Sequence, residues 1–493
     1  MPGFTLIYKQ EGIDEALANR AERLVNSSFK VQYISKKKKL IILFKDGINY
    51  PYEVIEKSKY IVLIEGKIYG MKPSIDKNFL EHIDILFSES INNISEKLQQ
   101  SLDYIHSLDG EFVIYIVDKK GEQVLVLNDY LGRLPLYLFN QKRFVLSRDL
   151  ALMDKLTTGL VFNEAAVYQY MRLGFPLGNR TLFYDTERLA PSSFIHISNE
   201  KIVVKSSKIN LSELENTFPG NEKPAERLNE EFKSSVNRRL ATNDKVVLSM
   251  SGGLDSRAIL GIAEKEKLSF DLAAFEYDNA IIQNDIQAVK LFSKMYEKTP
   301  AIQKINEWSP EFFDELTLAK SGMNYLGMSF ILHFLRKMSI DYQLMMTGDG
   351  GDKTLPYLFP LHSAKKFENL LIRNNQFSKA KLNESFFSFK TKTFEEEIIQ
   401  YLKDIPELRN QLKYKHFLLF ERGRNWLFEG EDRNRSYVWS TSPYYSPQFF
   451  KLAHSIPEKK KEKFRLFREF TNLVDARLNN IPNANWGFPL ADE

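Results

Sequence analysis

The sequence predicts an α/β plus α+β protein in two parts: a β-rich N-terminal half and a C-terminal half built on a parallel sheet flanked by helices. Three observations carry this. Residues 245–263 read as a buried strand, a loop of small residues and a helix. Residues 344–352 repeat the pattern, an apolar run ending in a Gly- and Asp-rich turn. Residues 1–150 hold short apolar runs broken by turn residues. At 493 residues the chain exceeds one ordinary core, so two or three domains are expected.

Hydrophobic residues make up 43% and charged residues 27%, the balance of a globular protein. A net charge of +4 is too small to indicate nucleic acid. The absence of Cys excludes disulfides, Cys-based zinc and iron–sulfur sites, and a thiolate nucleophile. Met1-Pro2-Gly3-Phe4-Thr5 does not begin a basic-then-apolar leader, and no apolar run reaches membrane-spanning length. A cytoplasmic protein with no nucleic-acid or membrane partner is expected.

In the first half, Tyr60–Gly70 reads as two short strands around a Gly turn. Phe112–Asp118 and Gln123–Leu127 read as a hairpin joined by Lys119-Lys120-Gly121-Glu122. The basic run Lys36–Lys39 reads as a solvated turn before the strand at Leu40. Residues 79–105 read as helical, and Asn163 as the N-cap of a helix to Arg172. The expected domains are 1–200 and 224–493, with a polar linker at 201–223 followed by a helix from Pro224 to Leu240.

The chemistry concentrates in Ser249-Met250-Ser251-Gly252-Gly253-Leu254-Asp255-Ser256-Arg257, with a helix expected from Arg257. Gly252 and Gly253 lack Cβ atoms, so backbone N–H groups can approach an anion closely. A helix N-terminus adds free donors and a positive dipole end. Ser251 and Ser256 offer hydroxyls. Asp255 suits a phosphate site only with a cation between them, which points to Mg²⁺. No Lys of the GxxxxGK[ST] type is present, so this is not a Walker A loop. The second constellation, Thr347-Gly348-Asp349-Gly350-Gly351-Asp352, brings two more carboxylates. Asp271–Glu276 reads as another strand, ahead of a helix from Asn284. Ligands of such sheets sit at the carboxyl ends of the strands.

The first loop resembles the SGGxDS loop of ATP pyrophosphatases, which cut ATP to AMP and pyrophosphate. Leu108-Asp109-Gly110-Glu111-Phe112, Asn128–Tyr137 and Ile64–Tyr69 resemble the LDGxFAF, RDxxGxxPLYY and NGEIYN segments of class II glutamine amidotransferases. Leu173–Pro191 resembles the connector that follows them, and Leu344–Asp352 resembles LSGDGGDE. In this order the segments are similar to the asparagine synthetase family over most of the chain. The resemblance implies an Ntn-type amidotransferase-like sandwich followed by an adenine-nucleotide α-hydrolase-like domain (the PP-loop fold) with a helical C-terminal part.

It also implies an ATP-dependent, AMP-forming amide synthetase with ATP and Mg²⁺ as cofactors. By that resemblance Ser249, Ser251, Gly252, Gly253, Leu254, Asp255, Ser256 and Gly348 hold ATP and pyrophosphate. Phe275 lies beside the adenine, Asp255 and Asp352 hold the metal, and Asp349 faces the reacting centre. Lys463-Phe464-Arg465-Leu466-Phe467-Arg468-Glu469 resembles KxxLRE, whose Lys neutralises the phosphates; the spacing is one residue off, leaving Lys463 and Arg465 as candidates. Asp432-Arg433 and Ser442-Pro443 resemble the family's DRxSMA…PFLD stretch in a 410–490 region read as helical, and Lys353 stands where the family carries Glu. Trp426, Tyr437 and Trp439 read either as the lining of a substrate pocket or as core, and at this spacing core is the preferred reading.

The first domain departs from the family where its chemistry lies. The glutaminase nucleophile is a Cys at position 2; here it is Pro2, and Glu65 replaces the Asn of NGE. The required nucleophile is a thiolate, which proline cannot replace, and a carboxylate repels an oxyanion. Glutaminase activity is therefore expected to be lost, as in the β-lactam synthetases, which usually carry Tyr where Asp349 stands. The expected partners are a small-molecule or peptide carboxylate and an amine or ammonia, with a possible homodimer. The alternatives are a lasso-peptide (macrolactam) or β-lactam-type cyclase, or a non-catalytic nucleotide-binding relative.

Overall fold

The computed structural model describes residues 1–15, 17, 19, 29–34, 39–89, 95–120, 123–157, 159–198, 201–207, 209–277, 280–305, 309–355, 391–405, 407, 409–485 and 487–490. Lys36–Lys38 of the basic run and Gly121-Glu122 of the hairpin turn lie outside them.

Among the described residues, twelve strands build the N-terminal half: β1 (Gly3–Tyr8), β2 (Phe29–Ile34), β3 (Leu40–Lys45), β4 (Tyr52–Glu56), β5 (Tyr60–Ile68), β6 (Gly110–Asp118), β7 (Gln123–Asn128), β8 (Tyr137–Asn140), β9 (Phe144–Ser147), β10 (Thr186–Arg188), β11 (Ser193–Ser198) and β12 (Lys201–Ser206). They form two antiparallel sheets, ordered β10-β8-β9-β1-β3-β2 and β12-β11-β7-β6-β5-β4. Side chains alternate across each strand, so one set of residues lines the space between the sheets and the other meets helices. Phe4, Phe44, Leu63, Tyr115, Val126 and Leu146 fill the inner space. Val62, Ile64, Ile114 and Ile116 face the helices Lys77–Ser88 and Glu96–Ser107. The helix Leu150–Leu156 covers the outer face of the first sheet. The result is a helix–sheet–sheet–helix sandwich.

Three expectations change here. Tyr60–Ile68 is one continuous strand, not two around a turn. Gly66, at φ +93°, marks a close approach instead: a Cβ there would lie 2.0 Å from the Glu111 carbonyl oxygen. The 79–105 stretch is two helices, each with its own cap. The Asp76 side chain accepts from the Phe79 N–H and the Ser95 hydroxyl from the Leu98 N–H. Residues 201–206, assigned to the linker, pair with β11 as the edge strand of the second sheet, and Leu211–Leu214 forms a short helix.

Five parallel strands form the second half's sheet: β13 (Val246–Ser249), β14 (Asp271–Glu276), β15 (Ala301–Lys304), β16 (Leu344–Met346) and β17 (Trp439–Thr441), ordered β15-β14-β13-β16-β17. The last lies inside the stretch read as helical. Val246, Leu248, Leu344 and Trp439 meet the helices Pro224–Leu240, Leu254–Lys265 and Arg465–Asp475 on one face. Val247, Ala273 and Met345 meet the helix Ile331–Asp341 on the other. Helices on both faces are what a fully buried parallel sheet requires.

The halves join across a seam of buried charge. The helix Phe428–Asn434 carries Glu429, Glu431 and Asp432, all buried. Three buried arginines of the N-terminal half receive them: Arg188 pairs with Glu429, Arg133 with Glu431 and Arg148 with Asp432. Lys320 adds a fourth cation to Glu429 and Asp432. Beyond these, Asp109 takes both Arg239 Nη atoms at 2.7 and 2.8 Å. Each charge taken from water has an opposite partner, the condition for burying it at all.

Candidate functional site

The chain runs from β13 outward through β14 and β15, then returns to place β16 on the other side of β13. The strand order reverses between β13 and β16, the point where open parallel sheets leave a crevice for ligand. Both glycine loops emerge there. The helix after β13 begins at Leu254, three residues earlier than expected, with Gly253 as its N-cap. Asp255 and Ser256 therefore sit in the first helical turn, among its free N–H groups.

Glycines let the two loops touch. A Cβ on Gly348 would lie 2.7 Å from the Ser256 backbone nitrogen, and one on Gly351 would lie 2.3 Å from the Asp255 carboxyl carbon. The Asp352 N–H donates to Asp255 Oδ2 at 3.2 Å. Burial and the nearby Asp352 push the Asp255 carboxyl well above the usual carboxylate range, against the Lys353 ammonium. Among the described residues no three His, Cys, Asp or Glu side chains cluster to hold a metal by themselves. Two adjacent carboxylates facing a phosphate cradle are nonetheless a hard-oxygen donor set of the kind Mg²⁺ shares with substrate phosphates, and a divalent charge would keep Asp255 ionised.

A cleft of about 470 Å³ opens over the loops. Of the residues expected to bind, Ser249, Ser251, Gly253, Asp255, Ser256, Phe275, Gly348, Asp349 and Asp352 line it. The Ser251 and Ser256 hydroxyls stand 3.2 Å apart. Met328, Ile331, Phe334 and Leu335 supply an apolar wall beside Phe275. At the other end Asp349 is half-buried; burial, Glu431 and Asp352 raise its carboxyl to about 6. Arg433 also lines the cleft, donating to the side-chain oxygens of Asn324 and Asn434. Burial lowers its guanidinium to about 10, countered by Asp349.

Four expected residues do not line the cleft. The Gly252 N–H is held by Asp285 Oδ1 at 2.6 Å, and Leu254 is core. Lys463 and Arg465 are exposed, and the Arg465 guanidinium donates to the Lys459 carbonyl. The basic side chains that do line the cleft are Lys353, Arg422 and Arg433. Trp426, expected in the core, is half-buried in the cleft wall and stacks on Tyr325 with ring centroids 4.7 Å apart. Trp439 is buried in the core, whereas Tyr437 is half-buried and its hydroxyl bonds Glu315. Lys353 and Arg433 were visible beside the motifs; nothing local marks Glu431 or Arg422. A larger hollow of about 880 Å³ shares no lining residue with this cleft.

In the N-terminal sandwich, Glu65 is not a bare charge facing an open pocket. It is fully buried, accepting from the Phe4 N–H at 3.0 Å, the Tyr50 hydroxyl at 2.5 Å and Arg148 Nη1 at 2.7 Å. A Cβ on Gly3 would lie 2.3 Å from its Oε1, so the carboxylate packs directly against the β1 backbone. Arg148 continues to Asp432 and so ties this position into the seam.

No curated protein matches the sequence. Among solved structures, glutamine phosphoribosylpyrophosphate amidotransferase from B. subtilis, complexed with ADP and GMP, is 9% identical over 61% of this chain and 81% of its own, with a TM-score of 0.27. NMN synthetase from Francisella tularensis is 14% identical over 42% and 96%, with a TM-score of 0.24. NH3-dependent NAD synthetase from Campylobacter jejuni is 13% identical over 45% and 97%, with a TM-score of 0.22. The family model described as a glutamine amidotransferase domain matches residues 40–207, and the model described as asparagine synthase matches residues 227–438. With the two in this order, each on its own sheet system, the chain matches the architecture of the asparagine synthetase family.

Proposed function

We propose that this protein is an ATP-dependent, AMP-forming ligase that joins an amine or ammonia to a carboxylate, and that glutamine is not its nitrogen source. One observation carries the reading: two glycine loops meet at the switch point of the parallel sheet and gather Asp255, Asp349 and Asp352 into one cleft. The residues divide by role. Ser251, Ser256, the Gly253 N–H and the helix N-terminus hold the phosphate oxygens. Asp255 and Asp352 would hold Mg²⁺, which neutralises charge on the departing pyrophosphate. Phe275 and the apolar wall take the adenine. A substrate carboxylate oxygen attacks the α-phosphorus and pyrophosphate leaves. The amine nitrogen then attacks the acyl carbon, AMP leaves, and Asp349 accepts the amine proton.

The absence of Cys and the clamped Glu65 support a nitrogen source other than glutamine. The test incubates the full chain with ATP, Mg²⁺, an amine and a panel of carboxylates: aspartate, sugar acids and peptides. Equimolar AMP and pyrophosphate dependent on one carboxylate are expected. Release of ADP and phosphate instead would refute the reading.

A further inference from the structure

We infer that Lys353 is the side chain that neutralises the nucleotide's phosphate chain in this protein, the role the family resemblance gives to a lysine of the 463–469 segment. The inference rests on the nucleotide-binding reading of the cleft. Lys353 sits in the short helix Gly351–Thr354, directly after the second loop, and its side chain is 12% exposed. It lines the cleft, where its ammonium pairs with Asp352, the residue whose backbone N–H donates to Asp255. The other cleft cations stand elsewhere. Arg433 belongs to the Asp349 end with Asn324 and Asn434, and Arg422 lies over the Trp426 ring at 5.9 Å from its centroid.

The segment expected to supply the charge does not reach the site. Lys463 is exposed in a left-handed backbone conformation at φ +51°, and Arg465 is exposed beside Lys459. Four carboxylates line the cleft, Asp255, Asp349, Asp352 and Glu431, and would repel a triphosphate unless cations offset them. Lys353 is the loop's own cation, on a four-carbon stem able to turn from one carboxylate oxygen to phosphate oxygens of higher charge. The family's Glu at this position would add a fifth carboxylate; the substitution reverses the sign where phosphate must sit.

Calorimetric titration of the full chain with pyrophosphate, ATP and AMP, each with Mg²⁺, tests the assignment. Lys353→Met should weaken pyrophosphate and ATP about ten- to a hundred-fold and leave AMP unchanged, the loss of one charge-assisted contact. Lys353→Arg should stay within a few-fold of wild type, and a Lys463→Ala/Arg465→Ala double variant should bind as wild type. Wild-type pyrophosphate affinity in Lys353→Met overturns the assignment. So does an equal loss of AMP, which would mark general damage to the loop, or a loss confined to the double variant. A wild-type chain that binds neither ATP nor pyrophosphate overturns the nucleotide reading and this assignment with it.

Discussion

Gly351→Ala tests the contact between the two loops with one methyl group. Gly351 is not among the residues at positive φ, so alanine adopts its backbone without strain and gains up to about 1 kcal/mol of helix propensity. The new Cβ falls 2.3 Å from both the carboxyl carbon and Oδ1 of Asp255. Ordinary contact requires the carboxylate to move by about 1 Å, an overpacking cost of about 1–3 kcal/mol. Net stability should therefore change by less than about 2 kcal/mol, and the chain should stay folded. Displacing a reacting or metal-holding group by about 1 Å costs on the order of a hundred-fold in rate. Carboxylate-dependent AMP release should fall by about that factor, while thermal melting remains cooperative near the wild-type temperature. Undiminished AMP release with an unchanged melt would show that Asp255 does not act from the position against Gly351, and the two-loop site would be wrong.

Asp349→Asn should retain substrate-dependent ATP–pyrophosphate exchange yet lose most amide product, whereas Asp352→Asn should lose both; equal loss of the two half-reactions in Asp349→Asn would remove its assigned role. Incubation with glutamine should release no glutamate above a protein-free control. The Asp109 clamp predicts a pH dependence. Burial raises the Asp109 carboxyl, but Arg239 and Arg238 outweigh it and hold the group below its ordinary value. Its stabilisation is then fully present above about pH 4 and lost as pH falls through the lower folded value. Asp109→Asn should cost about 3–5 kcal/mol at pH 7 by breaking a buried pair and should flatten the loss of stability below pH 4, read from denaturant midpoints. A steeper acid limb in the variant would contradict the clamp.

Elements whose signals are local were legible. The helix Pro224–Leu240 has Pro at its first position and an apolar stripe, and it runs between the bounds expected. Asn163 caps its helix by accepting the Ala166 N–H, and Asp271–Glu276 is a strand end to end. Gly66 misled because a glycine reads as a turn when its cause is a neighbouring strand's carbonyl, which no local window contains. The strand Trp439–Thr441 was missed for a related reason. Three residues among helices carry little periodicity, and only pairing with Leu344–Met346 makes them a strand.

The sequence by itself located the two loops on which the proposed chemistry rests: small residues between an apolar strand and a helix, with three aspartates beside them. It also determined that no thiolate acts anywhere in the chain. The tertiary structure alone decided which positive charges belong to the site. Lys463 and Arg465 match a motif in order but not in space, while Lys353, on the short helix after the second loop, and Arg433, on the helix Phe428–Asn434, are carried into the cleft. It decided the seam as well: Arg133 and Glu431 stand 298 residues apart, and Arg148 and Glu65 stand 83 apart. A charge reads as surface in any linear window. It becomes a buried partner only when folding removes water from both members at once, and that condition is a property of distance in space.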